Sequence, residues 1–328
     1  MTRLILTTND SGAGSLKRAG VADIVLPLGF RFVCGPLPSD TALAASLAPS
    51  SAQHPWLWNL YRRHLGENGV SEHGLIDLCD RCDTIELWID PEPNAQLMLI
   101  WLLDYLRGHR TIASKLALMQ ADVAIGDHPP QELATWRLRI VKILNHHLET
   151  ASRAWQAYRA SAPQHWFNLH GQDLSVLPQL QQTVLELLQE LPADKSGLGA
   201  TEMRMLELIS AGNAGPFDVF PGENRPNQQR VFDYWEVGSL LDGLAHCPSP
   251  VASGLGEGPF TAAMHDDRDR HARYRQSRLS LTELGQAVLA GQDDFSRHNP
   301  IHRWWGGTEL TNDHLWRWDP VNHALIAP

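Results

Sequence analysis

Over the first 120 residues, short apolar runs alternate with amphipathic stretches, and this constrains the fold more than any other feature. Residues 4–8 are apolar and β-prone, and Asn9-Asp10-Ser11-Gly12-Ala13-Gly14-Ser15 leads from them into a helix start at Leu16. Residues 23–28, 84–89 and 115–119 read as further strands, with helical patterns at 41–47, 55–65 and 94–106 between them. Parallel strands need a crossover long enough to hold a helix, so this order implies a parallel sheet with helices on both faces. The fold class expected is α/β, with a Rossmann- or flavodoxin-like domain over residues 1–125.

After Pro130 the strand signal fades. Residues 131–160 carry helical periodicity through Leu133, Trp136, Leu144, Leu148 and Trp155, and residues 174–191 form a second amphipathic stretch. A helical linker region is expected over 126–195, followed by a mainly α C-terminal domain over 196–328. There a helix at 202–210 and another at 231–245 precede a long Gly- and charge-rich insertion at 248–274. A strand and helix follow at 278–285, with Thr282 as N-cap. This is the rhythm of a winged helix. Trp304, Trp305, Trp316 and Trp318 suggest a terminal β-ribbon.

Hydrophobic residues make up 43% and charged residues 20% of the 328, a globular balance. The formal net charge of −10 works against nonspecific binding to nucleic acid or anionic membrane, which needs a basic surface. No apolar run approaches the roughly 18 residues of a membrane span, and residues 1–8 turn polar too soon for a signal peptide. A cytoplasmic protein is expected. Four cysteines in a chain of this length do not make a disulfide scaffold.

The main functional candidate is the segment Asn9, Ser11, Gly12, Ala13, Gly14 and Ser15, with Asp10 among them. A strand that feeds a Gly/Ser loop into a helix start exposes backbone N–H groups at the positive end of the helix dipole, which suits phosphate or carboxylate. Sites in parallel sheets lie at the carboxyl ends of strands, so Asp10, Gly35 and Asp90 are expected to converge there. The plainer reading is a tight turn at Gly12 and Gly14, with Asp10 or Ser11 capping a helix. The segment matches neither the dinucleotide-binding glycine motif nor a P-loop. Asp90 and Glu92 follow a strand and suit a general acid/base pair or a Mg²⁺ pair. Capping of the helix near Pro93 is the competing role. Cys79 and Cys82 form a CxxC without the second ligand pair a zinc ribbon needs. His265 and His271 stand in the charged insertion, where a solvated loop is the simpler reading. The sequence leaves the cofactor open, and no metal site is assigned.

The run from Glu86 through Leu87-Trp88-Ile89-Asp90-Pro91-Glu92-Pro93-Asn94-Ala95-Gln96 to Leu97 resembles the LWFEHDLYDQLQL segment of a bacterial family, domain of unknown function 1835. The opening strand and loop at 6–16, Gly35-Pro36-Leu37-Pro38, and the tail segments 281–291, 301–307 and 315–319 are similar to that family as well. The resemblance implies an α/β domain followed by a winged-helix-like half, and it carries no activity with it. This chain departs from the family pattern at Pro91 and Glu92, where relatives carry His-Asp, and at Phe30 or Arg31, where they carry an acid. A changed substrate or lost activity would follow if those residues are catalytic in relatives.

Two functions stand at this point. The first is a small anionic ligand bound at residues 9–15, with Asp10, Asp90 and Glu92 as catalytic candidates. The second is a non-enzymatic protein whose C-terminal half binds a protein partner, a second copy or DNA. The helix at 231–245 contains no Lys or Arg and carries Asp233, Glu236 and Asp242, which works against DNA. The basic supply is Arg204, Arg225, Arg230, Arg268, Arg270, Arg273, Arg275 and Arg278.

Overall fold

The computed structural model describes residues 1–49, 56–65, 74–136, 139–220 and 231–328. Arg225 and Arg230 lie outside the described residues, as does part of the helix start expected at 55. The chain divides into two compact units. One comprises residues 1–32, 37–159 and 173–181; the other comprises 33–36, 160–172 and 182–328.

In the first unit, β1 (Arg3–Thr7) leads to α1 (Asp10–Ala19), β2 (Ile24–Pro27), α2 (Asp40–Ser46), α3 (Trp56–Leu65) and α4 (Gly74–Arg81). Then come β3 (Thr84–Ile89), α5 (Pro93–Leu106), α6 (Arg110–Ala113), β4 (Leu116–Gln120), α7 (Pro130–Thr135), β5 (Ile140–Lys142) and α8 (Asn145–Tyr158). The strands form one sheet in the order β2-β1-β3-β4-β5, parallel except for the antiparallel edge strand β5. The fold is α/β, as the strand–helix alternation required. β1 and β3 are buried along nearly their whole length because helices cover both faces. Pro27 sits on edge strand β2, where the N–H it lacks is not needed by a second neighbour.

On one face, Ile5, Val25, Trp88 and Met119 pack with Ala13 and Leu16 of α1, with Ile125 and with Leu133 of α7. Glu86 is buried in β3, and Arg3 neutralises it through two bonds, Nε–Oε1 at 2.7 Å and Nη2–Oε2 at 2.6 Å. Trp88 Nε1 donates to the same carboxylate at 2.8 Å. A bidentate guanidinium supplies what a buried carboxylate needs. α5 is apolar nearly all round and packs against α8.

Two expectations change here. Residues 131–160 are not one helix. α7 ends at Thr135, and β-branched Ile140 and Val141 pair with β4 before α8 begins. The sheet therefore continues past residue 125, and the segment expected as a helical linker contributes a strand.

The second unit contains α9 (Gln164–Phe167), α11 (Ala200–Ser210), α12 (Tyr234–Ala245) and the two-residue strand β6 (Ala252–Ser253); α10 (Leu180–Gln189) starts in the first unit and ends in the second. α13 (Ala262–Asp266), α14 (Arg268–Gln276), β7 (Ser280–Leu281), α15 (Glu283–Leu289) and α16 (Phe295–His298) follow, then hairpin strands β8 (His302–Trp305) with β9 (Thr308–Thr311), and β10 (Arg317–Asp319) with β11 (Ala324–Ile326). β6 and β7 pair antiparallel, and the insertion between them holds α13 and α14 where a solvated loop was expected. Thr261 and Asp267 cap those helices with their own side chains, which accounts for the order of a charged segment. Thr282 caps α15, accepting from Gly285 N at 3.0 Å. The Trp-rich tail makes two short ribbons. Trp305 Nε1 donates to Leu187 O and Trp318 is buried, so these rings belong to the core.

Candidate functional site at the carboxyl edge of the sheet

β1 turns to β2 on one side, and the chain later returns to place β3 on the other. The carboxyl ends of β1 and β3 therefore flank the point where strand order reverses, the usual place for a ligand crevice in an open α/β sheet. Thr8 and Asn9 follow β1; Asp90 and Glu92 follow β3.

The expected loop is in fact helix. α1 begins at Asp10, so Asp10, Ser11, Gly12, Ala13, Gly14 and Ser15 all lie within it. Asn9 is the N-cap, rather than Asp10 or Ser11, and its Oδ1 accepts from Gly12 N at 2.7 Å. Gly12, Ala13 and Ser15 are buried, whereas Asp10 and Ser11 are exposed at the lip of the helix. A single 3₁₀ turn, Ile125–Asp127, closes over that lip. A Cβ on Gly126 would lie 2.5 Å from Ser11 Oγ and 3.3 Å from Gly12 N, so only glycine permits so close a seat. The Gly12 amide is thus occupied by Asn9, and the backbone of Gly126 packs close to it.

Asp90 holds the edge together. Its side chain is fully buried and accepts from Thr8 Oγ1 at 2.9 Å, Asn9 Nδ2 at 2.6 Å and Ile125 N at 2.7 Å. One carboxylate thereby joins the end of β1, the cap of α1 and the 125–127 turn. Burial raises its pKa, and the Ile125, Thr8 and Asn9 donors oppose that rise. Asp90 is therefore a tie between segments and makes no capping bond to α5.

Glu92 occupies the N-cap position of α5 but makes no side-chain cap bond, and it is part-buried. Burial pushes its carboxyl up to about 7, with Asp90 and Asp127 adding to the rise and Arg31 opposing it. An acid in this state can give or take a proton near neutral pH.

The site also depends on two buried amides, Asn94 and Gln96, that no sequence motif singles out. Asn94 is buried at the start of α5 and holds both sides of residue 31. Its Oδ1 accepts from Phe32 N at 2.8 Å, and its Nδ2 donates to Phe30 O at 2.8 Å. Gln96 Nε2 donates to Asp90 O at 2.7 Å and to Gln120 Oε1 at 3.1 Å, while Gln120 Nε2 donates to Ile89 O at 3.1 Å. The signal was present in the sequence, because Asn94 and Gln96 are the polar residues at the start of a helix that is otherwise apolar over its first turns, and buried amides require partners.

Gly35 belongs to the second unit, in an exposed turn whose φ of 71° is reason enough for glycine. Cys79 and Cys82 are free and buried; burial raises both thiols, Cys82 to about 11, which suits inert sulfur. The His265 and His271 rings lie 4.3 Å apart beside Trp235 and Phe217. Among the described residues, no group of three or more His, Cys, Asp or Glu is placed to hold a metal, and no helix is long and apolar enough to cross a membrane.

No family model matches the chain, and no curated protein matches it. Among solved structures, the DNA-binding, cleavage and re-ligation domain of Plasmodium falciparum topoisomerase II is similar at 9% identity and a TM-score of 0.40. The match covers 98% of this chain and 55% of that one, so the chain spans about half the length of that structure. A likeness of this degree carries no argument about fold or function.

Proposed function

We propose that this chain binds a small ligand bearing a carboxylate or phosphate at the carboxyl edge between β1 and β3, and that it acts there as an enzyme with Glu92 exchanging the proton. The observation that carries this reading is the convergence of three chain segments on buried Asp90, with part-buried Glu92 two residues away at the strand-order reversal. Asp90 fixes the frame, Glu92 is the acid/base, and Asp10 and Ser11 line the exposed lip. The resemblance to the family named above is consistent with this edge, since the departures at Pro91 and Glu92 fall on it.

Thermal shifts against nucleotides, sugar phosphates, carboxylic acids and divalent metals test the proposal, because a ligand that binds only the folded chain stabilises it by mass action. A shift lost in Ser11→Ala supports the site. A panel without any shift, or a shift indifferent to that substitution, rejects it.

The second reading, a winged-helix-like interaction module, has one observation in its favour. Trp235 on α12 remains 40% exposed beside Asp233 and Glu236, a surface suited to a protein partner rather than DNA. Arg270 and Arg273 already pair with Glu257, and Arg204 pairs with Glu207, which depletes the basic supply that DNA would need. Sedimentation of wild type and Trp235→Asp tests this in its self-association form. A mass that is monomeric in both removes that form.

A further inference from the structure

On one unbroken α-helix, residues six apart lie about 9 Å apart along the axis and about 120° apart around it. His265 and His271 escape that separation because the helix breaks between them. α13 ends at Asp266, and Asp267 caps α14, its Oδ1 accepting from Asp269 N at 3.0 Å and Arg270 N at 3.1 Å. The turn brings the two imidazole centroids to 4.3 Å, with their planes 37° apart. Trp235 and Tyr234 meet His265 edge-on at 5.6 and 6.2 Å, and Phe217 meets His271 edge-on at 6.0 Å. These walls orient the rings while both residues stay part-exposed.

Among the described residues, neither ring makes a hydrogen bond; Asp266 Oδ1 stands 3.9 Å from His265 Nδ1. Partial burial, with His265 and Arg275 adding to it, lowers the proton affinity of His271 and keeps its lone pair free at neutral pH. Asp266, Asp267 and Asp269 offset Arg268 and Arg275 in the same stretch, and Arg270 and Arg273 are paired with Glu257. Two imidazoles on one ion, each at roughly 2.0 Å, hold their centroids about 5 Å apart at a tetrahedral angle and about 4.5 Å apart at a right angle. The observed spacing fits the right angle. His146 and His147 lie as close, at 4.1 Å, but His147 is buried and its Nδ1 accepts from Leu144 N at 3.0 Å.

We propose that His265 and His271 chelate a divalent transition-metal ion that takes ligands at a right angle, Cu²⁺ or Ni²⁺, with water completing its coordination. Each ring gives one nitrogen. The pair lies wholly in the second unit, so the proposal is independent of the site between β1 and β3.

Cu²⁺ is the probe, added to the full chain at neutral pH with glycine as a competing chelator that keeps single imidazoles unloaded. At one equivalent, the paramagnetic resonance spectrum of wild type should show two imidazole nitrogens on a tetragonal ion. Tryptophan fluorescence should fall, because Trp235 touches His265. Trp235→Phe should keep the affinity and lose most of the quenching. His265→Ala and His271→Ala should each weaken binding by roughly 100-fold, the advantage of a chelate over one ligand. His146→Ala should change nothing. The readings on wild type and Trp235→Phe hold even where a histidine variant is destabilised. An ion held by one nitrogen or none in wild type, quenching that survives Trp235→Phe, or affinity that survives either histidine substitution overturns the proposal. A metal-induced thermal shift that survives Ser11→Ala and is lost in His271→Ala belongs to this pair and does not bear on the edge between β1 and β3.

Discussion

Glu92→Gln isolates the electrostatic cost of keeping an acid at this edge. The carboxyl moves from its ordinary 4.5 to about 7 in the folded chain, chiefly because burial disfavours the charged form. A raised acid pKa means that the folded state holds the proton more tightly than the unfolded state. The resulting stability is complete below about pH 4.5 and is lost as pH climbs through 7. At about 1.4 kcal/mol per pH unit the loss reaches roughly 3 kcal/mol, and solvent screening of a part-exposed group trims it to roughly 2–3 kcal/mol. Glutamine keeps the size and cannot ionise. The variant should therefore match wild type at pH 4.5 and exceed it by roughly 2–3 kcal/mol at pH 8. Urea-dependent hydrogen exchange of β1 and β3 amides reads this in the first unit alone. A difference that is constant with pH, or a variant less stable than wild type at pH 8, would refute the burial argument.

Three further outcomes follow from the geometry. Asp90→Ala leaves the Thr8, Asn9 and Ile125 donors without their acceptor and should cost about 3 kcal/mol in the same exchange experiment, with protection lost first at the 125–127 turn. Asn94→Ala unbinds both sides of residue 31 and should cost roughly 2–4 kcal/mol; a loss under 1 kcal/mol would mean that Phe30 and Phe32 hold the loop without it. Gly126→Ala forces a methyl onto Ser11 and should destabilise by roughly 1–3 kcal/mol. Adding Ser11→Gly should recover most of that loss in a denaturant melt, and failure to recover would place the strain elsewhere.

Some of this was legible without coordinates. Short apolar runs spaced by amphipathic ones required a mostly parallel sheet, since a buried parallel strand shows no alternation and its crossover must be helical. The carboxyl ends of two of those strands marked out Asn9, Asp90 and Glu92 before any distance was known. Thr282 was readable as a cap because capping is decided within four residues. Local rules also erred where two local outcomes compete. Asn9 and Asp10 are both good caps, and the helix begins at Asp10, six residues before the start expected at Leu16. Residues 139–143 suit helix and strand alike, and pairing with β4 made them strand.

The roles themselves required the tertiary structure. Asp90 and Glu92 are two residues apart with the same functional group. One is sealed under three donors, among them Ile125 N of the 125–127 turn, and the other is only part-buried. Gly126 and Ser11 are far apart in sequence and meet only in the fold, as do Asn94 and the backbone of Phe30 and Phe32. Sequence determined which elements form and which acids stand at their ends, since those depend on neighbours along the chain. Burial, hydrogen-bond partners and proton affinity depend on neighbours in space, and only the packed sheet supplied them.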